Sequence, residues 1–300
     1  MTNATAALSP AEMLRGYSIE VSPSHSKVVE VALERLQAGT EVFLPWIPGA
    51  NPMDTVAPAA RLQRAGLIPV PHVGARHIES VAQLEQFAAR VVGEAGVDRI
   101  LIIAGDRDKP AGPYDASLQV MQSGVFQKLG VVRAAIGGFP EGNPHVPDAV
   151  LDEALTAKVE FALSVGMQLS IVTQFCFDAD PIVAWLRRIR AQGIDVPVRV
   201  GLAGPAGMVT LVRYALRCGI GNSLHVLTEN PSFARLLTEK GPEPIMRDIT
   251  ASAGPGSESS TQSGLPFGIA GLHFYVFGGF NKTLAWIDAL RSAGSRSAHT

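Results

Sequence analysis

The chain has 300 residues, enough for one large α/β barrel or two smaller domains. Its 25 basic and 27 acidic residues give a net charge of −2, which argues against the basic surface that nucleic-acid binding requires. Hydrophobic residues make up 47% of the sequence, yet glycine, proline or charge interrupts every long apolar run, so a membrane span is excluded. The first residues lack a basic segment followed by an apolar one, and we expect a soluble, cytoplasmic protein without membrane or nucleic-acid partners.

Metal and disulfide chemistry find little support in the sequence. Cys176 and Cys218 are too few for a disulfide framework, and no cluster has the spacing of a zinc site. The seven histidines are scattered without an i, i+4 pair. A nucleophile elbow and a Walker A loop are also missing, and the glycine-rich segment 137–144 lacks the Lys-Ser/Thr of a nucleotide loop. We therefore expect no bound metal.

Short apolar runs alternate with longer segments of helical periodicity along the chain. Most of these runs lack alternation of polar and apolar residues, which is typical of parallel strands covered on both faces. The eight predicted strands are residues 17–21, 42–47, 67–73, 99–105, 131–137, 169–175, 196–202 and 272–277.

Helical windows lie between the strands, for example over residues 27–39, 80–96 and 180–193, and several of them end at glycine. Eight strand–helix units at roughly 30-residue spacing predict a single (β/α)8 TIM barrel over residues 16–293. Residues 1–15 would be an N-terminal extension and 294–300 a C-terminal tail. A doubly wound open sheet is the alternative, but the glycine fingerprint expected after its first strand is missing.

The segment 252–268 precedes the last predicted strand and is rich in glycine, serine and proline. This composition is typical either of a mobile loop that acts as a lid or of a disordered connector.

A barrel carries its chemistry at the carboxyl ends of the strands. Glu20 lies within the apolar run YSIEV, where burial would raise the pKa of its carboxyl group and make it a proton donor near neutrality. The alternative is an ion pair with an arginine across the barrel.

Three further polar residues stand near strand ends, each with a structural alternative. Asp106 follows Gly105 and could bind an amine-bearing heterocycle or cap a turn. Gln174 could read the donor and acceptor edges of a ring or bond to the core backbone. His72 could contact a cofactor, although a neutral core histidine is the favoured interpretation. Cys176 has no evident base nearby and is interpreted as a buried apolar residue.

The order of these pieces resembles the methylenetetrahydrofolate reductase family. Five short motifs in the family's order carry the resemblance across most of the chain: the Glu20 strand SIEVSP, Ala104-Gly105-Asp106 in place of Arg-Gly-Asp, GGFPEGNP at 137–144, VTQFCFD at 172–178, and His273-Phe274-Tyr275 followed by Asn281-Lys282.

The resemblance implies interconversion of 5,10-methylene- and 5-methyltetrahydrofolate by hydride transfer, with tetrahydrofolate derivatives as ligands, FAD as cofactor and NAD(P)H as electron donor. Glu20 would be the general acid that helps to open the methylene bridge into a reactive iminium. Asp106, Gln174 and Lys282 would bind the substrate, with Asp106 also close to the flavin. The implied FAD-binding residues are His72, Gly105, Asp106, Gly138, Phe139 and Lys158.

The departures from the family pattern affect mainly the residues that are expected to bind the flavin. Ala104 stands where the family has arginine, Pro45 or Trp46 where it has threonine, and its pair of basic residues is reduced to Lys158. A flavin-independent reductase that takes hydride directly from the nicotinamide is therefore the main alternative, ahead of a pterin-dependent methyltransferase barrel and a non-catalytic folate-binding barrel. The preferred nicotinamide, the direction of the reaction and the oligomeric state, a homo-oligomer included, stay open.

Overall fold

The computed structural model describes residues 8–47, 49–218, 241–253 and 263–297. Within these ranges eight strands follow one another in the predicted order, each overlapping its predicted position. They are β1 (Ser18–Glu20), β2 (Glu41–Leu44), β3 (Ile68–Gly74), β4 (Arg99–Ile103), β5 (Arg133–Gly138), β6 (Gln168–Thr173), β7 (Val198–Ala203) and β8 (Ile269–Tyr275).

Helices connect the strands, and the three predicted helical windows correspond to α2, α4 and α8. The described helices are α1 (Pro10–Met13), α2 (Ser26–Arg35), α3 (Val56–Arg64), α4 (Val81–Gly93), α5 (Ser117–Gln122), α6 (Val125–Lys128), α7 (Asp148–Ser164), α8 (Ala179–Ala191), α9 (Met208–Cys218), α10 (Glu243–Ala251) and α11 (Phe280–Ser297). Helix α8 shows how these helices end: Gly193 has a φ of 78° and its N–H donates to the Arg190 carbonyl. None of the described helices has the length and apolar character needed to cross a membrane.

The eight strands form a closed parallel barrel in sequence order. Ser18 of β1 lies opposite Glu41 of β2, and Arg99 of β4 lies opposite Arg133 of β5. The closed barrel confirms the (β/α)8 fold and excludes the open sheet. In this fold the carboxyl ends of all strands, and the loops that follow them, lie on one face.

The chain divides into two compact units. One, which we call the β1–β6 unit, comprises Ser18–Gly138 and Ala149–Val172. An apolar layer lies at its centre and takes one buried side chain from each of five consecutive strands, Phe43, Val70, Leu101, Ala135 and Val172. Burying each large side chain of such a layer contributes about 1.5–3 kcal/mol to folding.

The other, the β7–β8 unit, comprises Met1–Tyr17, Phe139–Asp148 and Thr173–Thr300. Strands β7 and β8 pair in parallel from Val198 and Ile269 to Ala203 and Tyr275. Tyr17 packs edge-on against Phe274, with ring centroids 5.7 Å apart, and the Arg291 guanidinium lies over the Tyr17 ring. These contacts hold the beginning of the described chain against β8 and α11. The domain boundaries predicted from the sequence stay predictions.

Most of the segment 252–268, predicted as a lid or a connector, lies outside the described residues. From Ser263 onward the chain is described again, and a short 3₁₀ turn at Pro266–Gly268 leads directly into β8.

Candidate active site

Glu20 is the last residue of β1, and its carboxyl group lies beside His72 of β3. Glu20 Oε1 is 4.0 Å from His72 Nε2, and the two side chains are 18% and 8% exposed. Burial raises the pKa of Glu20 to about 7, and the charge of His72 opposes this rise more weakly. Protonated and ionised Glu20 therefore coexist near neutral pH, which is the condition for a general acid.

His72 reaches this position because side chains two residues apart on a strand face the same side. Val70 belongs to the apolar layer, so His72 lies one level nearer the carboxyl end of β3. Its ring packs edge-on against Phe43 of the same layer, at a centroid distance of 6.0 Å. The apolar layer thus packs against the His72 side of the pair and removes water from that side.

Asp106, which follows β4, is paired with His77, a residue that the sequence analysis did not select. His77 Nε2 lies 2.8 Å from Asp106 Oδ1, and the histidine side chain is 9% exposed whereas the carboxylate is 51% exposed. Gly105 has a φ of 95°, and a Cβ there would lie 2.7 Å from His77 Cδ2. Gly105 is therefore needed both for the turn after β4 and for the space that His77 fills.

Lys158 of α7 is buried, although lysine side chains are rarely buried without a partner. Burial lowers its pKa to about 8. Among the residues that the structure describes, no carboxylate forms an ion pair with this ammonium group. A buried cation without an acidic neighbour can receive an anionic group such as a phosphate.

Gln174 belongs to the β7–β8 unit and directly follows β6. It is partly buried, and its carbonyl lies 3.8 Å from the thiol of Cys176. Cys176 is buried, as predicted, and its pKa is raised by burial first and then by the Glu141 carboxylate. A protonated thiol of this kind is a poor nucleophile, so we assign Cys176 a packing role after β6 and no nucleophilic role.

The carbonyl of Thr173 fixes the backbone just before Gln174. It accepts a hydrogen bond of 2.9 Å from the Tyr275 hydroxyl, and the Thr173 Oγ1 accepts one of 2.8 Å from the Gly201 N–H. A Cβ at Gly201 would lie 2.2 Å from the Thr173 carbonyl oxygen, so only glycine fits there. The amide of Gln174 therefore extends from a rigid strand end.

The remaining predicted site residues have different environments. Gly138 is buried at the end of β5, and Phe139 follows it partly buried. Lys282 is exposed in the first turn of α11. The structure brings Glu20 and His72 together and joins Asp106 to His77, but it shows no contact that tests a role for Lys282.

His77, Glu141 and Tyr275 are polar residues near strand ends with contacts that could not be predicted from the sequence. Tyr275 was quoted only as part of a motif, and the motif spacing alone carries no signal for its bond to Thr173. Within the described ranges, no group of three or more His, Cys, Asp or Glu side chains is arranged to hold a metal ion.

The chain is similar to known proteins of one family. A family model described as methylenetetrahydrofolate reductase matches residues 16–220, more than half of the chain. Methylenetetrahydrofolate reductase 1 of Schizosaccharomyces pombe is 29% identical over 145 residues, which cover 45% of this chain and 23% of that protein. The 5,10-methylenetetrahydrofolate reductase of Pectobacterium carotovorum is 24% identical over 153 residues, covering 51% and 49%. Methylenetetrahydrofolate reductase 2 of Saccharomyces cerevisiae is 30% identical over 118 residues, covering 36% and 19%. The matches span about half or less of each relative's length.

Proposed function

This chain belongs to the methylenetetrahydrofolate reductase family, and we propose that it interconverts 5,10-methylene- and 5-methyltetrahydrofolate by hydride transfer, with Glu20 as the proton donor. The observation that carries the proposal is the Glu20 carboxyl group, which is buried beside His72 at the carboxyl end of β1 and has its pKa raised to about 7. A carboxylic acid that keeps its proton near neutral pH suits a step in which a C–N bond opens.

In the direction of reduction, the bond between the methylene carbon and one bridge nitrogen breaks, and its electron pair stays on the nitrogen. Glu20 gives its proton to that nitrogen, and the carbon accepts a hydride. His72 lies 4.0 Å away and, when protonated, stabilises the carboxylate that Glu20 becomes. The apolar layer that packs against His72 keeps water from that side of the pair and strengthens both interactions.

On the family resemblance, we propose that Asp106 and Gln174 recognise the pterin. The half-exposed carboxylate of Asp106 can accept hydrogen bonds from ring N–H groups while it is held by His77. Gln174 offers one donor and one acceptor edge from a strand end whose backbone is fixed by Tyr275 and Gly201. The substrate contact of Lys282, which is exposed in the first turn of α11, stays a prediction from the family resemblance.

We propose FAD, loosely held, as the cofactor, bound by the residues that the family resemblance implies. Lys158 would hold the diphosphate, since it is buried without an acidic partner among the described residues. His72, Gly105, Asp106, Gly138 and Phe139 complete the proposed flavin-binding set. When bound, the flavin would carry the hydride between NAD(P)H and the folate. Ala104 supplies no charge where the family's arginine stands, so the diphosphate has one cation fewer.

The same substitution favours a second candidate, a reductase that takes hydride directly from NAD(P)H without flavin. Glu20 would act in the same way in both. A pterin-dependent methyltransferase barrel is less well supported, because the family model that matches the chain is that of a reductase. Under either candidate the ligands are tetrahydrofolate derivatives and a nicotinamide, and we place the reaction in the cytoplasm.

The test is folate-dependent oxidation of NADH and of NADPH by the purified protein, first stripped of flavin and then titrated with FAD. The proposal predicts turnover that rises with FAD and saturates at micromolar concentration. Full turnover without flavin, unchanged when FAD is added, would replace it with the flavin-independent candidate. Absence of folate turnover under both conditions, with either nicotinamide, would refute the reductase function.

A further inference from the structure

We propose that His77 is a positioning residue, which holds the Asp106 carboxylate in the orientation that recognises the pterin. This inference rests on the proposed function and extends it to a residue for which the family resemblance gave no role. The observation behind it is the 2.8 Å contact between His77 Nε2 and Asp106 Oδ1, formed by residues 29 positions apart in sequence.

The His77 ring is confined by its surroundings. A Cβ at Gly105 would lie 2.7 Å from His77 Cδ2, and a Cβ at Gly74 would lie 3.0 Å from the same atom, so both glycines leave just enough room for the imidazole. The Trp46 ring lies 6.4 Å from the His77 ring and itself packs on Phe87 at 5.5 Å. Because few orientations are open to the imidazole, its Nε2 points at Asp106 with little loss of side-chain entropy on binding.

The backbone of the Asp106 loop is held by other groups. Arg76 donates its backbone N–H to the Ala104 carbonyl at 2.8 Å, and its carbonyl accepts from Ala111 N–H at 2.9 Å. The Arg76 side chain also donates to the carbonyls of Arg107 and Asp115. Since these bonds fix the loop itself, the specific contribution of His77 is to the direction of the Asp106 side chain.

The two members of the pair differ in exposure in the way that this role requires. The His77 side chain is 9% exposed and the Asp106 side chain is 51% exposed. A carboxylate has about four acceptor positions, more than the contact with His77 uses. A buried donor with a solvent-facing acceptor is the arrangement expected when the first group orients the second.

The experiment compares His77→Leu with His77→Gln, because glutamine can place a donor N–H near the position of Nε2 whereas leucine cannot. The readouts are the Kd for 5-methyltetrahydrofolate, KM and kcat for the folate, and the Tm. We expect His77→Leu to raise Kd and KM roughly ten- to a hundredfold, the effect of losing a hydrogen bond to a charged group, with kcat changed by less than about threefold. His77→Gln should recover most of the affinity.

A double-mutant cycle separates positioning from a general structural role. In an Asp106→Ala background, His77→Leu should cause no further loss of folate affinity, since the carboxylate that it orients is gone. An added loss of similar size in that background, or equal affinities of His77→Leu and the wild type, would overturn the proposal. Equal weakness of the Gln and Leu variants would also overturn it.

Gly74→Ala provides a second variant if His77→Leu does not fold. The added Cβ moves the His77 ring by a few tenths of an ångström without changing its chemistry, and folate affinity should fall by a smaller factor. Unchanged affinity in Gly74→Ala would then contradict the inference. A wild-type protein that binds no folate would refute the proposed function and this extension with it, whereas folate binding that is indifferent to His77 would refute the extension alone.

Discussion

Glu20 and His72 lie on β1 and β3, and their charged atoms are 4.0 Å apart in a region where both side chains are largely buried. A histidine this close favours the ionised carboxylate, yet the pKa of Glu20 is raised to about 7 because the loss of hydration has the larger effect. The pair therefore keeps a proton available near neutral pH.

The raised pKa of Glu20 should also appear in the stability of the protein. The folded state holds this proton up to about pH 7, whereas the unfolded chain releases it near 4.5, so the folded state loses stability as the pH rises between these values. Glu20→Gln removes this dependence. Relative to that of the wild type, the free energy of unfolding of the variant should rise by up to about 3 kcal/mol between pH 4.5 and pH 8. Urea unfolding of both proteins at the two pH values measures the difference between their free energies of unfolding. If this difference is the same at both pH values, the carboxyl group of Glu20 does not have the raised pKa that burial is expected to give it.

Lys158→Met should stabilise the protein without cofactor and weaken its affinity for FAD. Burial lowers the pKa of Lys158 to about 8, so below that pH the folded state carries a buried charge that the unfolded chain hydrates freely. Methionine removes this cost, and the Tm at pH 7 should rise by about 2–4 °C for each kcal/mol recovered. The gain should shrink as the pH rises from about 8 to 10.5. A lower Tm together with unchanged FAD affinity would show that Lys158 is a packing residue.

Ala104→Arg should tighten FAD binding, because it restores a charged group next to Gly105 and Asp106. One charge-assisted hydrogen bond contributes about 1.5–3 kcal/mol, or roughly ten- to a hundredfold in Kd. The quenching of flavin fluorescence on titration gives the affinity. Ala104→Gln is the matched control, similar in length but neutral, and should give a smaller effect. Equal affinities for the arginine variant and the wild type would count against a flavin diphosphate at this position.

Gln174→Ala should weaken 5-methyltetrahydrofolate binding while the fold stays intact. Loss of the amide leaves ring donors or acceptors unpaired in a partly dry site, at a cost of about 1–3 kcal/mol. Calorimetric titration with 5-methyltetrahydrofolate and a thermal melt of the same sample separate affinity from stability. A lower Tm with the same folate affinity would mean that Gln174 is structural.

The fold and part of the site could be predicted from the sequence because their signals are local. A run such as YSIEV indicates a buried strand, and a carboxyl group within it must be desolvated whatever the rest of the chain does. The same reasoning located Asp106 after β4 and Gln174 after β6. Eight such strands, separated by helices, were sufficient to predict the closed barrel.

His77 escaped prediction because its role depends on long-range packing. Its bond to Asp106 joins the segment after β3 to the loop after β4, and the space for its ring is created by Gly105 from that second loop. Nothing in the local pattern around residue 77 distinguishes it from an exposed polar turn. The burial of Lys158 was equally inaccessible, because its register on α7 depends on where that helix begins.

The most direct test of the account is folate turnover by Glu20→Gln, measured together with its affinity for 5-methyltetrahydrofolate. The amide of glutamine has nearly the same size and can still form hydrogen bonds, but it has no acidic proton to give. We predict that turnover falls by at least about a hundredfold, the usual scale for a lost general acid, while folate affinity stays within a few-fold of the wild type. Folate turnover at the wild-type rate in Glu20→Gln would contradict the assignment of Glu20 as the proton donor.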